Sequence, residues 1–80
     1  MKCVYLLASI KDPSRRYMGI TDDLDSRIID HNSGKSPHTS KYKPWKVVVS
    51  ILFEDERRAL NFEKYLKSGS GRAFASKHLW

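Results

Sequence analysis

The sequence has little of what would point to a secreted, membrane or multidomain protein. Cys3 is its only cysteine, which excludes an internal disulfide and any zinc site built from several thiolates. It lies inside an apolar run and reads as a buried, inert thiol. A reducing cytoplasm is the expected compartment. No run approaches the roughly 20 apolar residues of a membrane-spanning helix. The first apolar stretch, Cys3 to Ile10, is broken by Lys11 and Asp12 too soon for a secretory signal. With four glycines, three prolines and 80 residues, there is no low-complexity tract and no internal repeat. Residues 1–80 are expected to form a single domain with a lean core, leaving no room for a second module to supply specificity.

What is present is globular and basic. Apolar residues make up 40% and charged residues 30% of the chain, a balance typical of a folded domain. Fifteen Lys and Arg against nine Asp and Glu give a formal charge of +6 and a pI near 9.7. That excess suits a polyanionic partner, because Lys and Arg gain by displacing counterions from phosphates. Nucleic acid is the expected partner and a membrane is not.

The chain divides into alternating elements. Cys3–Ile10 reads as a buried strand, Lys11–Ser14 as a turn, and Arg15–Ile20 as the returning arm of a β-hairpin. A helix over Asp23–Ser33 follows. Asp22 is suited to cap it, Asp22, Asp23 and Asp25 suit the positive end of its dipole, and Gly34 suits its stop. Leu24, Ile28 and His31 form its i, i+4, i+7 stripe. Ser33–Lys46 reads as a basic, turn-rich loop. Val47–Phe53 is β-branched and unbroken, the clearest strand. A second helix runs from Glu54 or Asp55 to about Lys67, Ser68–Gly71 ends it, and a third covers Arg72–Leu79. The order β-β-α-β-α-α predicts an α+β fold with helices flanking a small three-stranded antiparallel sheet.

Three features do not follow from folding alone. Glu63 falls inside the apolar arc of Ala59, Phe62 and Leu66, where an unpaired carboxylate would be costly. It needs either a cationic side chain, such as Lys67 one turn on, or a divalent metal, which prefers hard oxygen ligands. Arg27 and His31 stand side by side at i, i+4. There the guanidinium can grip two phosphate oxygens and the imidazole can donate or relay a proton, unless the pair is a solvated helix face. Tyr5 and Tyr17 lie on the two hairpin arms, either as ordinary strand residues or as phenols near a cation. Together they offer what phosphodiester hydrolysis needs: a group to activate water, cations for the developing charge, and help for the leaving oxygen.

These residues resemble the GIY-YIG nuclease family, in particular small stand-alone bacterial members. Cys3-Val4-Tyr5 resembles the first half of the signature and Tyr17-Met18-Gly19 the second. Arg27 and His31 match the helix-one arginine and the histidine one turn later. Asn32-Ser33-Gly34-Lys35, Thr39 and Pro44 look like the family's connection to the third strand, and Glu63 with Lys64-Tyr65-Leu66-Lys67 resembles its metal-binding glutamate and helix. The similarity spans essentially all 80 residues. It implies a metal-dependent DNA endonuclease, using Mg²⁺ or Mn²⁺ and serving repair or recombination. Tyr5, Tyr17, Arg27, His31 and Glu63 would be catalytic, with Glu63 holding the metal. Cys3 replaces the first glycine of the signature, Met18 replaces an isoleucine, and Thr21 stands where some relatives carry lysine. These departures leave the choice of basic tyrosine open. They keep a second reading alive, a DNA-binding or partner-recruiting module without cleavage.

Lys35, Lys41, Lys43 and Lys67 are candidate DNA contacts. Tyr42 and Trp45 lie among the loop lysines, placed either to stack on bases or, for Trp45, to anchor the loop onto the core. Little intrinsic sequence preference is expected, so targeting would come from DNA shape, a partner protein or a homodimer. Leu79 and Trp80 offer an apolar patch that either seats a second subunit or folds back on the core.

Overall fold

The computed structural model describes residues 1–80, as a three-stranded antiparallel sheet with helices on both faces. The elements are β1 (Lys2–Ser9), β2 (Arg16–Thr21), α1 (Leu24–Ser33), α2 (Pro37–Ser40), β3 (Trp45–Phe53), α3 (Glu56–Lys67) and α4 (Gly69–His78). The sheet order is β2-β1-β3. The hairpin and the α+β architecture are as the sequence predicts, with one added element. The loop expected over Ser33–Lys46 contains the single turn α2, begun by Pro37 at its first position, where a missing N–H costs nothing.

β1 is central and both its faces are buried, which is why its sequence is apolar without alternation. The two faces nevertheless go to different layers. Val4 and Leu6 join Ala59, Leu66 and Ala75 under α3 and α4. Cys3, Tyr5 and Leu7 join Trp45 on the other face, where Leu24 and Ile28 of α1 pack.

Local chemistry sets the element ends. α1 is capped by Asp23, whose carboxylate accepts from the Ser26 N–H at 3.1 Å. The expected cap, Asp22, is instead engaged by Lys2 at 2.8 Å. Gly34 ends α1 with φ 85°, the left-handed conformation glycine favours. Asp55 caps α3 by accepting from the N–H groups of Arg57 and Arg58. α4 begins three residues before the expected Arg72, because Ser68 serves as its cap and accepts from Gly71 N–H. Gly71 lies so close to α3 that a Cβ would sit 1.7 Å from the Tyr65 carbonyl oxygen. The two helices can therefore join through a tight corner.

Trp45 anchors the basic loop. It is buried, its indole N–H donates to the Thr39 carbonyl at 2.8 Å, and its backbone exchanges two hydrogen bonds with the Asn32 amide. Leu79 and Trp80 are partly buried and pack back onto the Val4–Leu6 core.

Candidate active site

The β1–β2 register explains how the two phenols meet. Tyr5 lies opposite Gly19, and Leu7 lies opposite Tyr17. Tyr5 and Tyr17 are thus diagonal neighbours on one face, with ring centroids 6.2 Å apart. Gly19 supplies space. A Cβ there would fall 2.6 Å from the Tyr5 hydroxyl oxygen, so the phenol lies across the glycine backbone.

α1 covers this face and brings His31 against both rings, at 5.9 Å from Tyr5 and 4.9 Å from Tyr17. His31 is fully buried and both its nitrogens are engaged: Nε2 with the Tyr5 hydroxyl at 3.0 Å, and Nδ1 with the Thr39 hydroxyl at 2.7 Å. Burial, reinforced by the positive charge of Arg27, holds the His31 pKa below its usual value, so the imidazole is neutral. Burial likewise raises the Tyr5 pKa, against the attraction of Arg27, so Tyr5 keeps its proton. Thr39 can direct its own proton to the Ser36 carbonyl through a long 3.5 Å contact. The consistent assignment is Nδ1–H donating to Thr39 and Tyr5 O–H donating to Nε2.

Arg27 completes the cluster. Hydrogen-bonding attraction to the Tyr5 oxygen, more than any other interaction, raises its pKa, although the pair does not form a well-aligned hydrogen bond. Its ion pair with Asp30 is loose, at 3.8 Å. The guanidinium is half-buried, with donors to spare for an anion.

Tyr5 is 1% exposed, whereas Tyr17 is half-buried and lines an open pocket of about 410 Å³ with Arg16, Met18, Lys67, Arg72 and Trp80. β2 is an edge strand, so residues from both its faces reach this pocket: Tyr17 from the α1 side, Met18 from the α3 side.

Glu63 comes from a different element than the other four. It is on α3, under the opposite face of the sheet, and its carboxylate pairs with Lys67 at 2.8 Å while 16% exposed. The Lys67 partner foreseen from the sequence is therefore present. Lys67 also connects Glu63 to the Tyr17 pocket, which it lines. No group of three or more His, Cys, Asp or Glu side chains is placed to hold a metal. Glu63 would be a single carboxylate ligand.

Lys35, Lys41 and Lys43 are exposed along the connection between α1 and β3. Lys35 lies 3.8 Å from Asp30, and Lys41 sits over the Tyr42 ring at 5.6 Å. Two features were missed in the sequence reading. Thr39 fixes the His31 ring, a role that nothing in its spacing reveals. Arg16 stacks over Trp80 at 4.8 Å, a pairing of residues 64 positions apart in the chain.

Known proteins resemble this chain over most of its length. A UPF0213 protein of Cupriavidus necator is 36% identical over 78 residues, covering 92% of this chain and 83% of its own. The structure-specific endonuclease subunit SLX1 of Candida dubliniensis is 35% identical over 83 residues, covering 95% of this chain. The chain spans 28% of that relative's length, 17% of a Talaromyces marneffei slx1 subunit and 53% of a Lactococcus lactis UPF0213 protein. In three dimensions the solution structure of a UPF0213 protein from Bacillus halodurans matches with a TM-score of 0.56 and 28% identity, over 96% of this chain and 84% of that one. No helix is long and apolar enough to cross a membrane. With both tyrosines, the arginine and the histidine gathered on one sheet face, the family model of the GIY-YIG catalytic domain matches residues 1–77, and a chain matched over nearly its whole length belongs to the GIY-YIG family.

Proposed function

We propose that this protein is a DNA endonuclease that hydrolyses phosphodiester bonds with a divalent metal and with little intrinsic sequence preference. One observation carries the reading: Tyr5, Tyr17, Arg27 and His31 converge beside an open, cation-lined pocket. Tyr17 is the phenol that faces substrate. Tyr5, one layer deeper, keeps its proton and donates it in a hydrogen bond to the neutral His31 Nε2, which fixes the phenol beside Tyr17. Thr39 keeps that nitrogen an acceptor by holding the ring proton on Nδ1. Arg27 neutralises charge on the scissile phosphate.

Glu63 fits a magnesium-type ion on donor chemistry, since such ions take one or two carboxylates and complete their shell with water and substrate phosphate. Bound there, the ion would polarise the phosphoryl oxygens. Its carboxylate would have to exchange Lys67 for the metal. DNA is the proposed partner, and a homodimer or a second protein would supply targeting, as "subunit" in the SLX1 relatives' names suggests. Repair or recombination is the proposed setting, and the cytoplasm the proposed compartment.

A second reading is a DNA-binding module that does not cut, and the Glu63–Lys67 pair favours it because the carboxylate is already neutralised. Incubation of supercoiled plasmid with the purified protein separates the two. Cleavage predicts nicking with Mg²⁺ or Mn²⁺, arrest by chelator, and loss of product in Glu63→Gln. Salt-sensitive binding without product under any metal would leave the module reading standing alone.

A further inference from the structure

We infer that the pocket between β2 and α4 is a second phosphate subsite, holding a phosphodiester near the one being cut, and that Trp80 positions its main ligand, Arg16. This rests on the DNA reading above. Three of the six lining residues are cationic, namely Arg16, Lys67 and Arg72, and no Asp or Glu side chain lines the pocket. Lys67 is committed to Glu63, but neither Arg16 nor Arg72 has a carboxylate partner anywhere in the molecule. Two unpaired guanidinium groups facing one concavity repel each other, and a bound anion relieves that repulsion.

The shape of the site points to phosphodiester. Arg16 sits over the Trp80 ring, with its guanidinium carbon 4.8 Å from the centroid. Stacking occupies the face of a guanidinium and leaves its N–H edge for bidentate contact with phosphate. Trp80 is itself fixed, packing against the apolar core and donating its backbone N–H to the Ala75 carbonyl at 2.9 Å. The Met18 side chain and the indole give the pocket apolar wall, suited to a deoxyribose ring. Tyr17 belongs both to this pocket and to the catalytic cluster, so a strand seated here continues past Tyr17 towards Arg27.

The test walks a single neutral methylphosphonate linkage along a duplex, one position at a time. Metal-free binding by fluorescence anisotropy and cleavage kcat/KM with Mg²⁺ are both measured. Native DNA should lose about tenfold in affinity in Arg16→Ala and in Arg72→Ala, the scale of one charge-assisted hydrogen bond. Wild-type protein should show a similar loss at one linkage position only, and the two variants should be insensitive to the neutral linkage there. Trp80→Ala should reproduce part of the Arg16→Ala loss and Trp80→Phe should restore it, with circular dichroism confirming that both fold. Lys11→Ala, which removes a charge from the hairpin turn outside the pocket, should show no position-specific effect. The subsite is overturned if every linkage position weakens binding equally, or if the Arg16 and Arg72 variants keep wild-type sensitivity. A position-specific binding effect without any product would retain the subsite and refute cleavage.

Discussion

The two faces of β1 have the same backbone and opposite chemistry. Val4 and Leu6 point into a layer closed by Ala59, Leu66 and Ala75, a cluster of fully buried apolar side chains. One residue out of phase, Tyr5 points into a layer where a phenol, an imidazole and the Thr39 hydroxyl are buried together. Every buried polar side-chain atom in the chain has a partner, so this second layer is satisfied throughout, as a low-dielectric interior requires. The comparison teaches a division of labour: the dry layer holds the sheet together, and the wet-chemistry layer spends packing on fixed proton positions.

Substitutions can break that division. The largest effect on stability should come from the dry layer. Leu66→Ala, at a fully buried position, should cost about 2–5 kcal/mol in urea denaturation, with residual activity per folded molecule unchanged. The largest effect on catalysis should come from the other side. Arg27→Ala should lower kcat by about 10²–10³-fold, the usual scale for losing a transition-state charge contact, with a melting temperature near that of wild type. An equal loss of stability in both variants would erase the distinction between the layers.

Smaller changes sharpen it. Gly19→Ala forces a Cβ to within 2.6 Å of the Tyr5 oxygen. Because Tyr5 is buried and held by His31, relief requires displacing the phenol, at about 1–3 kcal/mol by the usual cost of overpacking. Activity should fall further than stability in matched kinetic and thermal measurements. Thr39→Val leaves the His31 Nδ1–H without its partner at about 1–3 kcal/mol, and should shift the pH–rate profile, which Thr39→Ser should restore.

The smallest effect is one of pH. The free His31 pKa is about 6.5, and burial with Arg27 depresses it in the folded state. As pH falls from 7 towards 5 the unfolded chain takes up a proton that the native imidazole refuses, so stability declines, by at most about 1.4 kcal/mol per pH unit for one group. Above pH 7 this contribution is constant. Urea midpoints of His31→Asn should lack this component of the acid-side slope; identical slopes would show that His31 is not held neutral.

The sequence by itself determined the hairpin, the central apolar strand, the Leu24–Ile28–His31 stripe and the Gly34 stop, since these depend on period and on local backbone preference. It also singled out Tyr5, Tyr17, Arg27 and His31, because chemistry-bearing side chains at core-facing positions are legible one element at a time. Which of two adjacent aspartates caps α1 was decided by Lys2, which engages Asp22 from another strand. Trp45 as anchor, Trp80 as the shelf for Arg16, and Thr39 behind His31 were likewise decided only by tertiary structure. Glu63 is a mixed case: the arc of α3 required a cation beside it and the i, i+4 spacing offered Lys67, but only the tertiary structure brought Lys67 to the pocket that Tyr17 lines. Local propensity reads along the chain, and these contacts join residues that the chain itself keeps apart.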